Sequence, residues 1–166
     1  WTSAFLALAD LLERTSLGRR FSLYQRYGKT LRQMALAPRR LICLDRFTPN
    51  IGDNGTCGMA GINDLTPHHY ARAFEVFGET LFAQYAYLAN GRKVEGLNLG
   101  MEHEDTEAIQ GRIHEVLQTL GEPSPPRSDL LEGYGLVILR QGEGENRRTA
   151  WLYFGRNAHF GHCHHD

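Results

Sequence analysis

At 166 residues the chain has room for one domain or slightly more. Its 42% hydrophobic and 22% charged residues are the proportions of an ordinary globular protein, which sets aside disordered and fibrous classes. Basic and acidic side chains are interspersed and nearly balanced, with a formal net charge of −1. There is no polybasic patch to argue for nucleic acid, and no apolar run reaches the roughly 18 residues of a membrane span.

Residues 3–14 have the pattern of an amphipathic helix, with Leu8, Leu11 and Leu12 on one face. From Phe21 to about Leu36, Leu23, Tyr27, Leu31 and Met34 recur at helical spacing, and Pro38 marks a break or a new turn. Cys43 is the first of three cysteines; with Cys57 and Cys163 it is too scattered for a disulfide framework or a zinc ribbon. Residues 48–63 are dense in Gly, Asn, Asp and Pro and read as a long loop. Thr66 and Pro67 form a helix start, Thr66 as N-cap and Pro67 at the first helical position, and His68 and His69 read as polar residues of that first turn. Helices are expected at 67–77 and 79–89. Their aromatics (Tyr70, Phe74, Phe77, Phe82, Tyr85 and Tyr87) read as core, with a sugar-stacking platform as the second reading.

A further helix is expected from Thr106 to Leu120, ended by Gly121 and a cluster of prolines at 123, 125 and 126 that makes a stiff connector. Beyond it the hydrophobic period changes from 3.6 to 2. Tyr134–Arg140 and Thr149–Phe154 read as two strands of a hairpin around the turn at 141–146. Helices followed by strands argue for segregated layers or domains. The expected division is helical at 1–122, a linker at 123–130, and the start of an antiparallel sheet domain at 131–166. The chain opens on Trp1 and closes inside a histidine motif, and so reads as an internal fragment of a longer protein.

That closing motif is Gly161-His162-Cys163-His164-His165-Asp166. Imidazole is the commonest metal ligand, and an H-x-H pair on an extended backbone puts both rings on one face. The pattern suits a metal site, or one ligand beside one proton carrier. It matches the H-x-H-x-D start of a metallo-β-lactamase-like zinc hydrolase. An amidohydrolase barrel also carries H-x-H, but near the start of its domain. Neither explains a helical lead-in followed by a hairpin.

The order of the whole chain resembles the heparinase II/III-like polysaccharide lyases. The parts that carry the resemblance are Gly133-Tyr134-Gly135-Leu136-Val137-Ile138-Leu139-Arg140, then Trp151-Leu152-Tyr153-Phe154-Gly155, then Gly161 to Asp166, with Pro49-Asn50-Ile51-Gly52-Asp53 as a Gly-Asp loop upstream. Cys163 departs from the Gly usual between the two histidines. The resemblance implies an α+β fragment: the C-terminal part of an α/α toroid followed by the first strands of an antiparallel β-sandwich. It implies cleavage of a uronic-acid-containing acidic polysaccharide by β-elimination, in the periplasm or outside the cell. His162 matches the catalytic histidine and His164 a ligand of a structural zinc, whose other ligands would follow downstream. Asp166 would orient the motif, and the catalytic Tyr with its His or Asn partner would lie upstream of Trp1. Arg39, Arg40 and Arg46 are candidates for uronate carboxylates, since guanidinium binds carboxylate bidentately, with solvated surface as the plainer reading. A non-catalytic carbohydrate-binding remnant of the same fold is the remaining alternative.

Overall fold

A computed structural model describes residues 2–49, 62, 64–97 and 105–155. Six α-helices precede three strands among them: α1 (Thr2–Glu13), α2 (Ser16–Phe21), α3 (Leu23–Leu41), α4 (Pro67–Phe77), α5 (Thr80–Ala89) and α6 (Thr106–Leu120), then β1 (Asp129–Leu131), β2 (Leu136–Gln141) and β3 (Arg148–Tyr153). The protein is therefore a mixed α+β structure. No helix among the described residues is long and apolar enough to cross a membrane. The chain divides into two compact units. One takes in the residues up to Pro38 together with Asp64–Ser124; the other takes in the segment from Arg39 and the chain from Pro125 onward.

The helical unit is built on a contiguous apolar core. Leu6 and Ala9 of α1, Leu31 and Ala35 of α3, Tyr70, Ala71, Ala73 and Phe74 of α4, Phe82, Ala83 and Ala86 of α5, and Ile109 and Ile113 of α6 are all buried in it. Alanines at 71, 83 and 86 let helices approach closely, while the aromatics fill the volume between them. Tyr70 meets Tyr85 edge-on at 5.5 Å, and Phe77 lies 5.8 Å from Phe82. The aromatics of α4 and α5 thus sit in or against the core, as their spacing predicts, with Phe77, Tyr85 and Tyr87 at its margin.

The face of α1 differs from the expected one. Leu8 and Leu11 point outward, and Leu6, Ala9 and Asp10 face inward. This helix is apolar almost all round, so periodicity alone cannot choose its rotation. An ion pair chooses it: buried Asp10 accepts from Arg72 of α4, which also donates to Glu75 at 3.0 Å. Beside them Tyr24 is pushed up to about 12, first by burial and then by the negative charge of Asp10, against the pull of Arg72. Between α1 and α2 the chain turns so sharply that any side chain at Gly18 would overlap the backbone of Leu12 and Glu13.

α3 also departs from expectation, because it runs through Pro38 and ends only at Leu41. A proline removes one hydrogen bond to the preceding turn, and here that loss falls close to the helix end. Thr66 holds the N-cap position of α4 with extended backbone, but its hydroxyl makes no cap bond to the backbone. It lies instead 2.9 Å from His68 Nδ1 and 2.6 Å from His69 Nδ1, whose rings stack at 4.1 Å. The start of α6 is capped in the ordinary way, Asp105 accepting from the Ala108 amide at 2.8 Å.

In the second unit the strands form an antiparallel sheet of order β1-β2-β3. Leu136 faces Tyr153 and Ile138 faces Trp151 across the β2–β3 pair, while Leu131 and Asp129 of β1 oppose the same two β2 residues. The hairpin is the one its alternation predicts, joined through Gly142 and a single 3₁₀ turn at Gly144–Asn146. β1 is additional: it occupies 129–131, of which 129 and 130 read as connector in the sequence. Three residues with one leucine pair carry no alternation long enough to recognise. Tyr134, expected in the strand, closes a 3₁₀ turn instead, and Gly135 takes the left-handed conformation at φ 73°. A Cβ at Gly135 would overlap the backbone of Gly155, so two glycines allow the ends of the hairpin to meet.

Candidate functional site

His162 and His164 both lie outside the described residues, as do Cys163, His165, Asp166 and the Gly-Asp loop at 52–53. What the structure describes is the platform that leads to the histidine motif. Phe154 donates its amide to the Gly135 carbonyl at 2.6 Å, which fixes the chain at the exit of β3. One face of the sheet there is packed. Leu136, Ile138 and Cys43 are buried together, with Leu41, Phe47, Leu131 and Tyr153 around them. Phe47 meets Trp151 with ring centroids 5.4 Å apart.

Arg140, the arginine that ends the motif strand, has a clear structural task. Its Nη2 donates to the carbonyls of Arg40 (2.6 Å) and Ile42 (3.1 Å), and its Nη1 to the carbonyl of Arg127 (2.6 Å). One guanidinium thus ties two chain segments, at 40–42 and at 127, to its own strand, a use that lysine could not match. Arg40 in turn grips Asp129 with both arms of its fork, Nε to Oδ2 at 2.6 Å and Nη2 to Oδ1 at 2.8 Å. That grip holds the Asp129 carboxyl below the usual range, against the opposing effect of burial.

The arginines considered for uronate binding therefore have different fates. Arg40 is committed to Asp129, and its guanidinium serves the sheet. Arg39 is half-buried, and Arg46 is exposed on the turn that follows Cys43. That turn carries two left-handed residues that are not glycine, Leu44 at φ 54° and Asp45 at φ 56°. It is closed by Cys43 N to Phe47 O (2.8 Å) and Arg46 N to Cys43 O (3.0 Å), and anchored by Arg147 to Asp45 at 2.8 Å. The Cys43 thiol is fully buried, and burial pushes it up against the influence of Arg140, so it is an inert packing residue of this small core.

Among the described residues no group of three His, Cys, Asp or Glu side chains could hold a metal ion. The stacked pair of His68 and His69 shares Thr66 as a polar partner and offers no third ligand of that kind. Sequence reading did not find the cleft beside Tyr87, Arg92 and Lys93 in the helical unit. The only signal for it was Tyr87 in the aromatic series and the Asn-Gly-Arg-Lys run at 90–93. Comparison with known proteins returns no matching family model, no matching curated protein and no matching solved structure.

Proposed function

We propose that the chain is part of a polysaccharide lyase that cleaves a uronic-acid-containing acidic polysaccharide by β-elimination, working in the periplasm or outside the cell. The observation that carries this reading is the order of parts: a helical unit, then an antiparallel sheet, then, further along the sequence, Gly161-His162-Cys163-His164-His165-Asp166. A second observation supports it. The sheet face opposite Leu136 and Ile138 exposes Leu130, Leu139 and Leu152, an apolar face of the kind that a second, packed sheet covers in a β-sandwich. On this reading the helices are part of an α/α toroid.

The chemistry asks three things of the protein. The uronate carboxylate must be neutralised so that the C5 proton becomes acidic. A base must remove that proton as the C4–O4 bond breaks and a C4–C5 double bond forms. An acid must deliver a proton to the departing O4. His162 is assigned to one of these tasks, each of which requires a group that comes within hydrogen-bond reach of the substrate. His164 is assigned as a ligand of zinc, with further ligands from elsewhere in the protein; the metal's part is to brace the scaffold.

The test is a pair of substitutions in the full reading frame, read by ultraviolet absorbance of the unsaturated product, zinc content and melting temperature. His162→Ala should lower turnover by a factor on the order of 10²–10⁴ and leave zinc and fold nearly unchanged. His164→Ala should lose zinc, melting temperature and activity together. Zinc loss on His162→Ala with retention on His164→Ala would overturn the assignment of roles. Zinc-dependent hydrolysis with no unsaturated product would favour the metallo-β-lactamase-like alternative, which rests on the spacing of His162, His164 and Asp166. Binding of uronate polymers without any turnover would favour the non-catalytic remnant.

A further inference from the structure

The helical unit contains a cleft that the reaction above leaves without a role. It has a volume of about 380 Å³ and lies where the C-terminal end of α5 meets the last turns of α6. That volume is within the range of small-ligand sites. Tyr87, Val94 and Leu117 supply its apolar wall.

The walls are held in place. The Asn90 side chain donates to the carbonyls of both Lys93 (2.8 Å) and Glu95 (3.2 Å), and the Arg92 amide donates to the Tyr87 carbonyl at 2.9 Å. These bonds keep Arg92 in the left-handed region at φ 62°, a conformation a non-glycine residue adopts only when its surroundings impose it. Val94 is buried in the core, while Lys93 and Glu95 on either side of it in the chain are exposed at the rim. Across the cleft, buried Gln84 donates to the Gly121 carbonyl at 2.7 Å and pins the end of α6.

Some of the polar groups are already spent on one another. Arg92 is paired with Glu122 at 3.1 Å, and His114 with Gln118 at 2.9 Å. Among the described residues, nothing engages the side chains of Lys93 and Glu95, which leaves one uncompensated charge of each sign. Two helices end at this cleft, and their carbonyl ends carry partial negative charge. A plain anion would meet Glu95, Glu122 and those carbonyls with only Lys93 to offset them, which disfavours it. A plain cation would suit Glu95 and the helix ends but would leave Lys93 repelling it. A ligand with one ammonium and one carboxylate answers both charges. Its ammonium takes Glu95 and the negative field, and its carboxylate takes Lys93. An apolar body on the same small molecule then covers Tyr87 and Leu117. An α-amino acid with an apolar side chain combines these three parts around one carbon.

We propose that this cleft binds a free zwitterionic α-amino acid, with Glu95 holding its ammonium, Lys93 its carboxylate and Tyr87 its apolar side chain. The site does not depend on the lyase reading, and neither requires the other. The probe is phenylalanine, titrated into the isotope-labelled 166-residue chain while amide shifts are followed. Three analogues each lack one part: hydrocinnamate the ammonium, phenethylamine the carboxylate and glycine the side chain. Phenylalanine should shift amides in 87–95 and 114–121, and each analogue should bind more weakly. The exposed change Glu95→Gln should weaken phenylalanine by about threefold to fivefold, the size of one partly exposed ion pair. It should weaken phenethylamine as well and spare hydrocinnamate. Lys93→Gln should do the reverse, weakening phenylalanine and hydrocinnamate and sparing phenethylamine. Absence of cleft shifts up to the solubility limit of phenylalanine would overturn the proposal. So would an analogue that binds as tightly as phenylalanine, or phenylalanine binding indifferent to either substitution.

Discussion

The helical unit and the strand unit solve the same problem with different means. The helical unit draws its stability from volume: five of its six helices contribute buried side chains to one core, and Tyr70, Phe82 and Ile113 are shut off from solvent altogether. Among the described residues of the strand unit, Cys43, Leu136 and Ile138 are fully enclosed and Ile42 is nearly so. That unit compensates with directional bonds, the Arg140 rivet and the Arg40–Asp129 fork. Hydrophobic burial is non-directional and tolerant of detail, whereas hydrogen-bonded arginines fix geometry but contribute little each when partly exposed to water. The helical unit should therefore behave as a robust scaffold, and the strand unit as a precise but shallow platform.

The largest effect should come from emptying the helical core. Phe82→Ala leaves a cavity where there is no solvent to fill it and should cost about 3–5 kcal/mol, seen as a large drop in melting temperature followed by circular dichroism of the helices. If the loss were under about 1 kcal/mol, the core would not be the source of that unit's stability. Ile138→Ala comes next, at about 2–4 kcal/mol. Hydrogen exchange should show its cost as lost protection throughout β1–β3, with the amides of α4 and α5 protected as before. Protection lost equally in α4 and α5 would show that the two units unfold together.

A smaller effect tests the fork. The Asp129 carboxyl is depressed chiefly by its bond to Arg40, so its contribution is present above the unfolded carboxylate value of about 3.9 and is lost as pH falls through the lower folded value. Acidification below about pH 4 should loosen β1 against β2. Asp129→Asn should remove that acid step and cost under about 1 kcal/mol at neutral pH, since Arg40 is 39% exposed. An acid step of the same size in the Asn variant would assign it to another group. The smallest effect on stability should come from the outer sheet face. Leu152, 62% exposed, can be replaced by Thr with a change within about 0.5 kcal/mol. Self-association, followed by light scattering, should nevertheless fall, because an apolar face beside an edge strand is a template for pairing. Unchanged scattering would show that this face is not the sticky one.

Much of this was legible from the residues. The spans of α4, α5 and α6 follow from period, proline and glycine signals, and the β2–β3 hairpin from alternation around 141–146. Gly135 and Gly155, singled out as motif residues, prove to be where the two ends of the hairpin touch. The rotation of α1 was not legible, because nearly every face of that helix is apolar. Nor was β1, which is too short to show a period. The partner of Arg40 could not be read either, since Asp129 is far along the chain and no local rule connects them.

The sequence by itself determined the order of helices before strands and the composition of the histidine motif, because periodicity and residue chemistry are local properties. Only the tertiary structure decided which face of α1 turns inward, that Arg40 serves the sheet, and that Asn90 and Gln84 shape a cleft around Tyr87. Each of those depends on groups distant in sequence meeting in space, where desolvation and hydrogen-bond geometry choose among arrangements that a one-dimensional pattern leaves equivalent.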